Sequence, residues 1–133
     1  MVDVTVDWRE PQDGGDARCL YAYVDPAVGE VIYVGIADRC SVGERWHGHS
    51  GDGVFAFFED ELGLEEWDTL VGDVELMAGM KRLSPELLLD IEALFLNRLR
   101  PRGNVQIPPL RRPGLRVTCE GDWPLDKGVF LDR

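Results

Sequence analysis

Glu92 sits where a carboxylate has no ordinary reason to be. Ser84, followed by Pro85 and Glu86, reads as the N-cap and first turn of a helix that Pro101 must stop. One helical turn from Glu92 lie Leu88 and Leu89 on one side and Phe95 and Leu96 on the other. The carboxylate therefore falls on the apolar stripe, while Glu86 and Asp90 take the solvated face. An unpaired carboxylate in such a place costs several kcal/mol or is forced to protonate. It calls for an arginine, a hydrogen bond or a metal ion.

Arg45 and His49 are four apart in RWHGH, so on a helix they project from one face. A guanidinium that stays charged and an imidazole that exchanges a proton near neutrality suit a phosphate. His47, two residues from His49, points elsewhere. Tyr21 and Tyr33 stand on two strand-like segments with eleven residues between them, where packed rings are the ordinary outcome. Gly35 marks a bulge or a close approach by a ligand or another backbone. Asn104 follows Pro101 and Gly103 in a turn, a place that favours Asn for local reasons.

These residues need elements to hold them. Val2 to Trp8 alternates apolar and polar residues as a half-buried strand does. Gln12 to Asp16, with its paired glycines, reads as a turn. Cys19 to Val24 and Val31 to Ile36 form a hairpin. Ser41 caps a helix carrying Arg45 and His49, which Gly51 to Gly53 ends. Phe55 to Leu62 is a second apolar piece, Val74 to Ala78 a third strand of the main sheet, and Ile107 to Gly114, rich in proline, an extended arm.

At 133 residues and 44% apolar content the chain is one globular domain, not a disordered or collagen-like one. No apolar run nears the roughly 18 residues of a membrane span. The acidic N-terminus lacks a basic stretch followed by an apolar one, which points to a cytoplasmic protein. Cys19, Cys40 and Cys119, odd in number and without a CxxC pair, suggest neither disulfides nor a thiolate zinc site. The net charge of −11 opposes a polyanionic partner. Its distribution is uneven, however. Arg98, Arg100, Arg102, Arg111, Arg112 and Arg116 occupy a stretch without acids, whereas Val54 to Glu75 holds eight acids and no base.

In order and spacing these motifs resemble the GIY-YIG endonuclease superfamily. Cys19 to Tyr21 (CLY) stands where that family has GIY, and Tyr33 to Gly35 (YVG) where it has YIG. RWHGH resembles the Arg-and-His helix of the family's homing endonucleases. Ile91 to Val105 is similar to the helix and exit turn that carry the metal-binding Glu and a terminal Asn in the excision-repair nucleases. The resemblance covers about residues 18–105 and leaves 106–133 as a C-terminal extension.

The resemblance implies an α+β fold, a small three-stranded antiparallel sheet flanked by helices, here extended by the N-terminal strand. It implies hydrolysis of DNA with one Mg²⁺ or Mn²⁺ on Glu92. Arg45 would stabilise the reacting phosphate, Tyr21 or Tyr33 would activate water, and His49, Gly35 and Asn104 would support the phosphate site. Arg98, Arg100 and Arg102 would bind substrate. Cys19 in place of the first glycine and Ile36 after YVG depart from the pattern. RNA as the substrate, a protein partner that directs the enzyme, and an inactive module that binds a protein through its acidic face remain alternatives.

Overall fold

The alternation of the N-terminal segment is realised in strand β1 (Val2–Arg9), where Val4, Val6 and Trp8 are buried and the intervening polar residues are partly exposed. The structure, a computed structural model, describes residues 2–12, 16–76, 82–110 and 114–131. Hairpin β2 (Cys19–Asp25) and β3 (Glu30–Ala37) follows, then helices α1 (Val42–Asp52) and α2 (Val54–Asp60). Strand β4 (Asp68–Leu76), helix α3 (Pro85–Leu99) and strands β5 (Leu115–Gly121) and β6 (Val129–Leu131) complete the mixed α/β arrangement.

One sheet carries six strands in the order β3-β2-β4-β1-β5-β6, where three with an added N-terminal strand were expected. Strand β4 makes the larger sheet. Its first residues pair antiparallel with β2 (Tyr21↔Val71) and its last with β1 (Val4↔Leu76), which leaves β1 free to pair in parallel with β5. The third strand begins at Asp68, earlier than expected, because its acids fall toward the open end while Leu70 and Val71 are buried. Met77 and Ala78, expected as its end, lie outside the described residues, as does most of the glycine turn. The C-terminal arm is extended only at residues 107–110 before β5 joins the sheet; 111–113 lie outside the described residues.

Helix α3 covers one face of the sheet with Leu87, Leu88, Ile91, Leu94 and Phe95. The other face of the β2–β3 half is covered by Val42, Phe55 and Phe58 of α1 and α2. Strand β2 is therefore buried on both sides, which is why CLYAYV reads as an unbroken apolar run. Asp90, expected on the solvated face of α3, is buried at 7% exposure; α3 is wrapped by the sheet and the C-terminal segment over more of its surface than a single stripe. All three cysteines are free, and Cys119 Sγ accepts from the Trp8 indole at 3.3 Å. Among the described residues no helix is long and apolar enough to cross a membrane.

The exit turn of α3 closes the outer edge of the sheet. Gly103 N–H donates to Ile32 O at 2.7 Å, and a Cβ on Gly103 would stand 2.6 Å from that oxygen. Asn104 then acts as a one-residue strand. Its Oδ1 accepts from Val34 N–H at 2.9 Å and its Nδ2 donates to Val34 O at 3.0 Å. Removing the amide strands two backbone groups, so Asn104→Ala is expected to cost about 1–3 kcal/mol. Urea unfolding of the two proteins measures this; an unchanged midpoint would refute the edge-closing role.

Candidate active site

Tyr21 projects from β2 toward α1 and lies across its cross-strand partner Gly35. A Cβ at Gly35 would stand 2.5 Å from the Tyr21 oxygen, so only glycine leaves room for the ring. The bulge lies elsewhere than at Gly35. Register shifts between Tyr23 and Val24, which makes Ile32 the extra residue and turns it toward the same α1–α2 side as Tyr33. Tyr33, two residues from Gly35, shares the face of Tyr21, and their rings stack at 6.0 Å.

Helix α1 brings the next groups. Its start is fixed by a capping box in which Ser41 Oγ accepts from Glu44 N–H and Glu44 Oε1 from Ser41 N–H, each at 3.1 Å. Val42 N–H also donates to Asp16 O, and the Asp16 carboxylate is held by Arg9 of β1 at 2.6 Å. So anchored, α1 buries His49, whose Nε2 is 2.8 Å from the Tyr21 hydroxyl and whose Nδ1 is 3.2 Å from Asp52 Oδ2. A carboxylate can only accept, which places the ring proton on Nδ1 and leaves Nε2 to accept from Tyr21. Burial lowers the His49 pKa against the opposing pull of Asp52. The imidazole is thus a neutral acceptor at neutral pH.

Burial raises the pKa of all three clustered tyrosines. Tyr21 is further raised by its interaction with the Tyr33 hydroxyl, whereas the same interaction lowers Tyr33. Tyr33 is also the less buried of the two, at the mouth of the cluster. Tyr23, which the sequence reading passed over, belongs here as well. Its ring meets those of Tyr33, Phe55 and Phe58, and its hydroxyl is the one buried side-chain polar atom without a hydrogen bond among the described residues. Tyr23 and Asp52 each carried a sequence signal: two residues apart on a strand share a face, as do three apart on a helix.

Glu92 makes no hydrogen bond or ion pair among the described residues. Burial raises its pKa to about 7, partly offset by Arg45. Exposed Arg45 acts likewise on Tyr21, Tyr23, Tyr33 and His49, and Glu92 in turn raises Tyr33. Glu92 of α3 is thus coupled through its charge to Tyr33 of β3 and Arg45 of α1, while Tyr33 and His49 meet ring to ring at 5.2 Å.

Other expected site residues are occupied elsewhere. The Asn104 amide is spent on Val34. Arg98 Nε donates to Leu131 O at 2.9 Å and holds β6, while Arg102 binds Glu30 through two hydrogen bonds at 2.7 and 2.8 Å. Arg100, exposed and in a left-handed conformation, caps α3, and Arg116 pairs with Asp3. Arg111 and Arg112 lie outside the described residues. Three arginines of the stretch therefore hold the chain to itself, Arg98 and Arg116 where the C-terminal strands join the sheet and Arg102 where the α3 exit turn meets β3. A concavity of about 670 Å³ lined by Glu10, Pro11, Asp68, Thr69, Leu70 and Asp122 contains none of the site residues.

Comparison with known proteins yields no match to any family model, curated protein or solved structure.

Two outcomes follow from this geometry. A carboxylate raised from 4.5 to about 7 on folding loses stability for the native state as pH rises through that window. Glu92→Gln should thus match the wild type below about pH 4.5 and exceed it above pH 7, as read by urea unfolding across pH. Tyr23→Phe removes an unpartnered hydroxyl and should leave stability unchanged or raise it by up to about 1 kcal/mol. A marked loss would reveal a partner for that oxygen.

Proposed function

We propose that the chain is a divalent-metal-dependent endonuclease of the GIY-YIG type that hydrolyses DNA phosphodiesters. The observation that carries this reading is the Tyr21–His49–Asp52 hydrogen-bond chain, at 2.8 and 3.2 Å, on the helix that also presents the exposed guanidinium of Arg45. Cation, acid–base chain and metal-competent carboxylate are the three kinds of group that in-line attack on a phosphodiester requires. An interaction module has no use for a half-buried carboxylate left without an arginine.

Glu92 fits a hard divalent cation. It offers oxygen donors, is half-buried and has no protein partner among the described residues. Mg²⁺ commonly binds through one or two carboxylates and keeps its remaining waters. Mg²⁺ or Mn²⁺ there would supply positive charge to the phosphoryl oxygens. Arg45 would hold a nonbridging oxygen from the solvent side.

The residues also answer how a phenol with an ordinary pKa of about 10 can act as a base. As water attacks phosphorus, its proton passes to the Tyr33 oxygen, the Tyr33 proton to Tyr21, and the Tyr21 proton to His49 Nε2. Hydroxyl adds to phosphorus, the bond to the leaving oxygen breaks, and the imidazolium is held by Asp52. No free phenolate has to accumulate. His49 is the net acceptor, and the two phenols connect it to the solvent-facing mouth.

Cleavage of supercoiled plasmid with Mg²⁺ or Mn²⁺ tests the proposal. Glu92→Gln and Arg45→Ala should each lose about 10²-fold or more, and Asp52→Asn about tenfold or more, because an amide no longer holds the Nδ1 proton. Metal binding, followed as thermal stabilisation by Mn²⁺, should weaken below pH 7 as Glu92 protonates. Folded protein that cuts neither DNA nor RNA with either ion would move the assignment to a module that binds a protein through its acidic face.

A further inference from the structure

On helix α1, one residue beyond Arg45, Trp46 leaves 41% of its surface exposed. The other exposed large apolar residues among those described are valines, Val28, Val105 and Val129. Trp46 is held rather than loose. Phe55 meets its ring edge-to-face at 5.3 Å and His47 at 5.5 Å, with the imidazole perpendicular to the indole. A rigid, open aromatic face is thereby placed beside the guanidinium assigned to the phosphate.

The charge of the chain limits what can lie there. At a net charge of −11, and with Arg102, Arg116 and Arg98 bonded to Glu30, Asp3 and Leu131 O, the described residues show no array of cations that would track a duplex backbone. Affinity for a nucleic acid has to come from an interaction that does not depend on charge. Base stacking on an aromatic ring is such an interaction, and it needs a base that is not already stacked within a duplex.

We infer that Trp46, braced by Phe55 and flanked by His47, is a stacking ledge for an unpaired base next to the scissile phosphate, so that the substrate is a single-stranded or unpaired nucleic-acid segment. This rests on the nuclease reading and specifies its substrate class. Arg45 takes the phosphate and Trp46 the adjoining base, one residue apart on a single helix. His47, which the sequence reading set aside, acquires a role as the edge support of the ledge.

The test is binding of a fluorescein-labelled single-stranded 12-mer and of a hairpin duplex in EDTA, where no cleavage occurs, read by anisotropy. Wild type should prefer the single strand. Trp46→Leu, which keeps apolar cover over Phe55 but has no π face, should weaken single-strand binding about tenfold or more, and Trp46→Phe should retain most of it. The wild-type to Trp46→Leu ratio should be the same at about 50 and about 200 mM salt, since stacking releases no counterions. Equal affinity of Trp46→Leu and wild type, a preference for the duplex, or no binding of either oligonucleotide overturns the inference and leaves Trp46 to a protein partner. Plasmid cleavage decides the nuclease reading independently: cutting that persists in Trp46→Leu with an unchanged preference for duplex sinks the ledge alone.

Discussion

The Tyr21 ring fills the space that any side chain on Gly35 would need, and this cross-strand contact sets the geometry of everything above it. With the ring laid across the glycine, its hydroxyl reaches over β3 to His49 Nε2 at 2.8 Å. Tyr33, two residues from Gly35 on β3, lies on the same face, its ring stacked on Tyr21 and meeting the His49 imidazole edge-on. A Cβ at residue 35 would push the ring off and sever the phenol from its base. The same face is covered by α1 and α2, and Phe55 and Phe58 of α2 pack edge-to-face against Tyr23.

Placement of α1 is in turn a matter of long-range electrostatics. Arg9 of β1 binds both Asp73 of β4 and Asp16, and the Asp16 carbonyl receives the first N–H of α1. Hydrogen bonding to these two carboxylates raises the Arg9 pKa and keeps Asp16 low, so the bracket is ionised throughout the neutral range. The N-terminal strand, remote from the site, thus helps fix the helix that carries Arg45 and His49. On the opposite side, α3 is held by the sheet and by its exit turn on β3. Glu92 is set on the half-buried flank of α3 by packing, with no hydrogen bond or ion pair among the described residues.

A buried cluster of three phenols, an imidazole and an isolated carboxylate is a poor way to stabilise a fold. Tyr23 leaves a buried hydroxyl without a partner among the described residues, and burial raises the Glu92 pKa to about 7. Costs of this kind collect where groups are arranged for chemistry. The acidic surface and the internally committed arginines belong to the same picture, because they leave Arg45 as the cation that meets the outside at this point.

The sequence by itself determined the local elements and the anomaly. Ser84, Pro85 and Pro101 bounded α3, the alternation of Val2 to Trp8 made β1, and the apolar neighbours of Glu92 marked it as a carboxylate out of place. These are legible because side-chain direction repeats every 2 or 3.6 residues, so a short window carries the information. Tertiary structure alone decided the six-stranded sheet, the burial of Asp90, and the commitment of Asn104, Arg98 and Arg102 to internal contacts. Each of these depends on which strand pairs with which and on what covers a second face, contacts made between residues tens of positions apart. Periodicity says where a side chain points along its own element; it carries no record of what waits there.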